Sequence, residues 1–300
     1  MSNNKLMKRL LPVLLFVVFL FAFFPGCSSP PKRKDEIFID RNAAAKQLNL
    51  ANHTASRGRY EDALIIMEDA WRLVLGTDDP TLRIKGAISR GNILFSLGRH
   101  DEAFRIFESA AAEGDASSLP VLAAQARIYA IRARLVLLSG ESGSRNDTDE
   151  TAEELRGQLI SEMYRVRTDP LSSAAGYVTL GMAEKLLRRW GEAEIAVRRA
   201  LATHERDRFL EDAAYDWFLV ASIRSMAESY DAAIDALKMA ILFDRRAENG
   251  FGLASSWQAM GDVYKKAGQT EEARGAYRRA FDIYRAIGFD DRAKELAAKL

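Results

Sequence analysis

The chain has 300 residues, of which 48% are hydrophobic and 28% are charged, a balance typical of folded proteins. Its formal net charge of +1 argues against a general nucleic-acid-binding protein, which would be strongly basic. Its one cysteine, Cys27, excludes an internal disulfide framework. Only 7 prolines, together with abundant Ala, Leu, Glu and Arg, favour helices over sheets.

The N-terminal segment has the features of an export signal. Lys5, Lys8 and Arg9 precede an apolar run of 15 residues, Leu10–Phe24. This run is shorter than the roughly 20 residues that a membrane-spanning helix needs, and its flanks are those of a signal peptide.

The apolar run ends in a sequence that resembles a bacterial lipobox. Gly26-Cys27 fits that motif, whereas the two residues before it do not. The resemblance implies a lipoprotein signal peptide over 1–26 and a lipid on Cys27; an uncleaved signal anchor is the alternative. Ser28, where an aspartate often retains such proteins at the inner membrane, favours the outer membrane and its periplasmic side. Residues 27–41 would form a lipid-anchored linker, and loss of 1–26 would change the net charge to −2, because it removes three basic residues and no acidic one.

One pattern recurs five times along the chain: an alanine, a large residue four positions later and a second alanine three positions after that. Neighbouring copies are 40 residues apart, except for one gap of 90. This spacing of apolar residues is typical of one face of a helix. The copies are Ala63/Met67/Ala70, Ala103/Phe107/Ala110, Ala193/Val197/Ala200, Ala233/Leu237/Ala240 and Ala273/Tyr277/Ala280.

The best-preserved copy lies in Trp257–Ala280, which reads WQAMGDVYKKAGQTEEARGAYRRA. It resembles the tetratricopeptide repeat, W-x2-L-G-x2-Y followed by A-x3-F, with Met260 in the Leu place and Tyr277 in the Phe place. Gly268 separates the two helices. The resemblance implies an all-α fold: a right-handed α-solenoid of about six helical hairpins, each of which buries its apolar face against the next.

The prolines divide the chain into repeats. Pro80, Pro120 and Pro170 each begin an alanine-rich run, at the favoured first position of a helix. The gap of 90 equals two repeats plus ten residues, which we place in the polar stretch 139–149, and a capping box at Thr151-x-x-Glu154 predicts the start of the helix that follows. The predicted solenoid domain, 42–300, has repeats near 44–83, 84–123, 124–173, 174–213, 214–253 and 254–288, and a capping helix at 290–300.

No residue pattern in the sequence indicates catalysis. His53, His100 and His204 fall in different repeats and lack the spacing of metal ligands. The glycine-rich stretches lack the Lys-Ser/Thr of a phosphate-binding loop. We therefore expect a protein that is not an enzyme and that has no cofactor and no metal.

The family resemblance implies a concave face built from the first helices of the hairpins. Asn52 and Asn92 occupy equivalent positions there, 40 residues apart, and their amides could bind the backbone of an extended peptide. The alternative is that the apolar residues of this face pack between repeats. The remaining candidate residues are an apolar set followed by a charged pair: Val178, Met182, Leu186, Tyr215, Phe218, Met226, Asp262 and Lys265.

These features predict a membrane-anchored periplasmic scaffold, or an assembly factor for a cell-envelope complex of the pilus or secretion type. It would bind a peptide or a helix of another envelope protein in its groove, attach to the membrane through Cys27, and bind no nucleic acid. One alternative is an adaptor or regulator of peptidoglycan-processing enzymes. Another is a periplasmic protein that binds a small ligand, in which the insertion at 139–149 helps to close the pocket.

Overall fold

The computed structural model describes residues 39–140 and 144–300. In these ranges the chain forms six helical hairpins, each packed on the next, and a short final helix, which confirms the predicted all-α solenoid. None of the helices in these ranges has the length and apolarity needed to cross a membrane. The helices are α1 Ile39–Ser56, α2 Tyr60–Thr77, α3 Pro80–Ser96, α4 His100–Ala116, α5 Pro120–Gly140, α6 Arg145–Val166, α7 Pro170–Leu186, α8 Trp190–Asp207, α9 Leu210–Met226, α10 Tyr230–Ala247, α11 Gly250–Lys266, α12 Thr270–Ala286 and α13 Asp290–Ala297.

The turns between helices follow a regular spacing. A residue with positive φ stands just after a helix at positions 58, 78, 98 and 118, and again every 20 residues from 188 to 288. Such left-handed residues commonly end helices, because their conformation lets the next N–H groups bond the last helical carbonyls. Two helices and two turns therefore make up the 40-residue period.

Two of the three helices that begin with proline, α3 and α7, are capped by the aspartate before it. Asp79 accepts a hydrogen bond from the backbone N–H of Leu82 at 3.1 Å, and Asp169 accepts one from Ser172 at 2.9 Å. Each cap satisfies an N–H group that has no partner within the helix. The prediction that Pro80 and Pro170 start helices is confirmed.

In the second, fourth and sixth hairpins, the two helices come into close contact at a glycine. A Cβ atom added at Gly91 would lie 2.4 Å from the Phe107 ring, and one added at Gly261 would lie 2.5 Å from the Tyr277 ring. The same contact joins Gly181 to Val197 in the fourth hairpin. In each case the large residue of the recurring pattern lies 16 positions after the glycine. The pattern found in the sequence is thus the second-helix half of this contact.

The third hairpin differs from the prediction. Its helices are 21 and 22 residues long, whereas the helices of the second hairpin have 17 each, so most of the insertion extends α5 and α6. Helix α6 begins at Arg145, and Thr151 lies inside it, where its hydroxyl donates to the Asp147 carbonyl at 2.8 Å. The predicted capping box is therefore wrong. Arg145 forms an ion pair with Asp149 and donates to the Leu186 carbonyl at 2.8 Å, and both bonds stabilise the added turns.

The final helix, α13, covers the end of the array. Ala293 and Leu296 are buried against the sixth hairpin, next to Tyr284. Asp291 and Lys294, which form an ion pair, face the solvent. A helix that is apolar on one side only is what the open end of a solenoid requires.

We predict opposite effects for two Gly→Ala substitutions. Gly91→Ala should lower the free energy of unfolding by about 1–3 kcal/mol, because the added methyl group meets the fully buried Phe107 ring. Gly275→Ala is the matched control: nothing lies within 4 Å of its added Cβ, and alanine in an exposed helix should raise stability by roughly 0.5–1 kcal/mol. Urea denaturation measures both. Equal effects of the two variants would contradict the role assigned to the glycine contact.

Candidate functional site

The first helices of five hairpins enclose a cavity of about 730 Å³. They contribute its walls together with the start of α2, the end of α10 and the turn before α9. Aromatic rings and polar groups alternate along these walls. No residue of 139–140 or 144–149 lines the cavity, so the described part of the insertion does not close it. The residues that line it include Asn52, Ser89, Asn92, Phe95, Tyr129, Arg132, Glu211, Asp212, Tyr215, Phe218, Asp244, Phe251 and Ser256.

The first and sixth hairpins meet at one side of the cavity. The rings of Tyr60 and Phe251 pack edge to face, with centroids 5.4 Å apart. Gly58, with φ of +76°, lies so close that an added Cβ would be 2.4 Å from the Phe251 Cβ. Arg57 and Glu248 approach to 3.9 Å at the surface. Because these contacts join hairpins that are distant in sequence, the concave face becomes a cavity with a closed side.

Four of the predicted groove residues line this cavity: Asn52, Asn92, Tyr215 and Phe218. The two asparagines also connect successive hairpins. The amide of Asn52 donates to the Ser89 hydroxyl at 3.1 Å, and the Asn92 carbonyl oxygen accepts from Arg132 at 2.7 Å. Each asparagine therefore makes a hydrogen bond to the next hairpin, and Asn92 also interacts with Tyr129 by a side-chain hydrogen bond.

The predicted apolar groove residues on α7 lie outside the cavity. Val178 is buried, with 4% of its surface exposed, in the core formed with α9 and α11. Met182 and Leu186 are half-buried and pack against Ile131 and Leu135 of the third hairpin and their neighbours. Burial leaves Val178 closed to a ligand, and none of the three residues lines the cavity.

The predicted charged end of the groove is not part of the cavity either. Asp262 accepts hydrogen bonds from the Tyr277 hydroxyl at 2.7 Å and from Lys299 at 3.0 Å, so it supports the C-terminal end of the array. Lys265 is exposed on α11, and Met226 is 48% exposed at the end of α9. Neither of them lines the cavity. Cys27 lies outside the described residues.

The sequence analysis missed the cation of this site, Arg132. Its guanidinium carbon lies 4.5 Å from the ring centroid of Phe95 and 4.6 Å from that of Tyr129. A signal for this residue was present, because Asn52, Asn92 and Arg132 are 40 residues apart and occupy the same position in three successive hairpins. The third repeat lacks the recurring alanine pattern, and this absence concealed the signal.

Three acidic residues, Glu211, Asp212 and Asp244, line another part of the same cavity. Asp244 accepts hydrogen bonds from Ser256 and Asn249, both at 3.1 Å. Burial raises the pKa of Asp244 to about 7, and the charge of Glu211 adds to this, although the two hydrogen bonds act in the opposite direction. Burial also raises the pKa of Asp212, against the positive charges of His204 and Arg132.

His204, which was predicted to be isolated, is paired. Its Nδ1 lies 2.7 Å from Oδ2 of Asp216, and both side chains are buried between α8 and α9. Burial lowers the pKa of His204, but the hydrogen bond and the charge of Asp216 outweigh it and leave the pKa raised. In the described residues no group of three or more His, Cys, Asp or Glu side chains is arranged to hold a metal. The His204–Asp216 hydrogen bond therefore joins helix α8 to helix α9.

The comparison with protein families identifies the repeat unit. Residues 211–286 match the family model of the tetratricopeptide repeat, and this stretch forms most of the last two hairpins. These two hairpins are tetratricopeptide repeats. The family resemblance predicted from Trp257–Ala280 is confirmed, and the fold of these repeats is that of a scaffold for protein–protein interaction.

Solved structures share the solenoid fold. The chain is similar to the crystal structure of BtubC (BKLC) from P. vanneervenii, with 16% sequence identity and a TM-score of 0.51, over 82% of this chain and 92% of that one. It is similar to a Rap protein complexed with Competence and Sporulation Factor, with 13% identity and a TM-score of 0.58, over 86% of this chain and 76% of that one. It is also similar to the apo form of RapI, with 12% identity and a TM-score of 0.52, over 86% of this chain and 71% of that one. At these identities the likeness concerns the fold. No curated protein matches the sequence.

We predict that Asp244 makes the stability of the protein depend on pH. Since its pKa is about 7 in the folded protein and 3.8 ordinarily, the folded state binds a proton that the unfolded state releases. The stability from this group is fully present below the ordinary pKa and is lost as the pH rises to about 7, by up to about 1.4 kcal/mol per pH unit. The stability of the unsubstituted protein relative to Asp244→Asn should fall across this range and change little above it. The free energy of unfolding of both proteins is measured by urea denaturation at each pH. The same pH dependence in both would contradict the role assigned to Asp244.

Proposed function

We propose that this protein is a non-enzymatic scaffold that holds a short segment of another protein in the cavity between its first and sixth hairpins. The observation that carries this proposal is the cavity itself. Its volume of about 730 Å³ falls within the roughly 300–1,000 Å³ that is typical of ligand-binding sites. It is large enough for a short peptide and far too small for a folded domain.

The chemistry of the lining supports a peptide. Tyr215 is 41% exposed and offers an aromatic face to apolar side chains, and Phe218 lies one helical turn further along the same helix. The amides of Asn52 and Asn92 supply donors and acceptors at the spacing of successive hairpins. An extended segment needs both donors and acceptors, because its backbone N–H and C=O groups must be hydrogen-bonded when they leave water.

The similarity to the Rap protein also supports a bound partner. That protein is complexed with Competence and Sporulation Factor, and its fold covers 86% of this chain. A solenoid of this general fold can therefore hold a separate molecule. The identity of that molecule has no bearing on the partner of the present chain.

We further propose that the scaffold acts at the cell envelope. The basic residues before Leu10–Phe24 and the Gly26-Cys27 sequence support export and attachment of a lipid to Cys27. Ser28 supports the outer membrane, facing the periplasm. The partners would then be other envelope proteins, and the role would be to assemble a complex of the pilus or secretion type.

Photo-crosslinking in living cells tests the cavity. A photoreactive phenylalanine in place of Tyr215 should trap one discrete envelope protein, because this side chain faces the cavity and is partly accessible. Ile195, 60% exposed on α8, and Arg278, exposed on α12, lie outside the cavity and are the matched control positions. Trapping that is absent at Tyr215, or equal at all three positions, would contradict the proposal.

The lipid anchor has its own test. Cys27→Ser removes the only thiol that could carry the lipid, so the variant should leave the membrane fraction after a carbonate wash, whereas the unsubstituted protein should remain. Metabolic labelling with a fatty-acid analogue should mark only the unsubstituted protein. A Cys27→Ser variant that stays with the membrane would show that another feature attaches it.

A further inference from the structure

Arg132 is held in one orientation by its neighbours. Its guanidinium lies near the rings of both Phe95 and Tyr129, at 4.5 and 4.6 Å from their centroids. Its Nη2 donates to the Asn92 carbonyl oxygen at 2.7 Å. Cation–π contact with two rings and a hydrogen bond fix the plane of the guanidinium before any ligand arrives.

The donors of Arg132 are only partly used within the protein. Its Nε is buried without a hydrogen-bond partner. In the described part of the chain, the Arg132 side chain forms no ion pair with an acidic residue. Arg127, on the same helix but outside the cavity, has ion-pair partners in Asp115 and Glu162. The contrast indicates that Arg132 keeps its charge for a group that enters the cavity. A carboxylate is the planar anion that an arginine fork binds best.

The acidic part of the cavity has the opposite character. Glu211 and Asp212 on α9 and Asp244 at the end of α10 line it, and in the described residues no lysine or arginine pairs with any of them. The positive charge of Arg132 acts to lower the pKa of Asp212, although the two side chains form no direct contact. The cavity therefore has one positive site and a separate acidic site.

Resting on the proposed function, we propose that the cavity selects peptide segments that carry both a carboxylate and a cationic group, and that it binds them in one direction. The carboxylate binds Arg132 between Phe95 and Tyr129. The cation lies against Glu211, Asp212 and Asp244. The carboxylate is that of an Asp or Glu side chain or of a chain end, and the cation is a Lys or Arg side chain or a free amino terminus.

Charge also excludes the other ligands that an arginine commonly binds. Phosphate groups carry more negative charge than a carboxylate, and three acidic side chains in the same cavity repel them. Polyanions such as nucleic acids are excluded for the same reason. A dipolar segment is neutral overall and meets both parts of the cavity favourably.

A pool of synthetic pentapeptides of random sequence tests this inference with the full-length chain in detergent. Four pools are compared: free termini, amidated C-terminus, acetylated N-terminus, and both ends blocked. Peptides retained by the protein in equilibrium dialysis are identified by mass spectrometry. We expect retained peptides to contain at least one carboxylate and one cation, and peptides that lack either to be retained roughly tenfold less. Enrichment of Asp, Glu, Lys or Arg in the blocked pools would identify side chains as the source of each charge.

Two variants assign the charges to residues. Arg132→Gln should remove the preference for a carboxylate, and Asp212→Asn, which breaks no hydrogen bond, should weaken the preference for a cation. Arg105→Gln, at an exposed position of α4 outside the cavity, is the matched control and should leave both preferences intact. Unchanged thermal unfolding and retention of uncharged peptides by Arg132→Gln would show that it folds.

The outcomes separate this inference from the proposed function. Retention of no pool above a protein-free control would contradict peptide binding itself. Retention that is equal in all pools would overturn the charge selection and leave the cavity as a peptide site. A carboxylate preference that survives in Arg132→Gln would overturn the assignment to Arg132.

Discussion

The close approach of two helices at a glycine is the contact on which the rest of the structure depends. In the second hairpin Phe107 fills the space that a side chain at position 91 would otherwise occupy, and Tyr277 does the same at position 261. The short distance between helices leaves the apolar flanks of each hairpin free to pack against the next one. The stacked first helices then share a concave side, and the cavity is what remains between them.

The cavity obtains its polarity from the same repetition. Equivalent positions in the first three hairpins hold Asn52, Asn92 and Arg132, so a change of one residue in the third copy introduces a positive charge into a row of amides. The acidic residues come from a different source, the later hairpins that curve back towards the first. The repeat supplies the frame, and departures from its consensus supply the recognition.

The fold was predictable from sequence because the signals that specify it are local. The recurring alanines, the Asp-Pro caps and the 40-residue spacing all act within one hairpin. Helix α6 was misplaced because its start depends on Arg145 reaching the Leu186 carbonyl, a contact between residues 41 positions apart. A polar stretch with two glycines resembles a loop unless that contact is known.

The site was predictable only in part, for the same reason. Tyr215 and Phe218 followed from the phase of the repeat, since each faces the concave side of its own helix. Whether such a residue is open to a ligand depends on its neighbours, and Val178, in an equivalent phase, is covered by them. Asp244, at the end of α10, belongs to the cavity because the later hairpins come close to the first, which no pattern within one repeat encodes.

The contact of Gly58 with Phe251 changes how the array responds to stress. In an open solenoid each repeat contacts only its neighbours, so terminal repeats can unfold while the middle remains intact. Here the first and sixth hairpins support each other, and loss of either one removes a wall of the cavity. Fraying at one terminus is therefore transmitted to the other, and a bound segment that contacts both walls stabilises the whole array by mass action. We therefore expect the array to unfold as one cooperative unit, although it is built from a linear series of repeats.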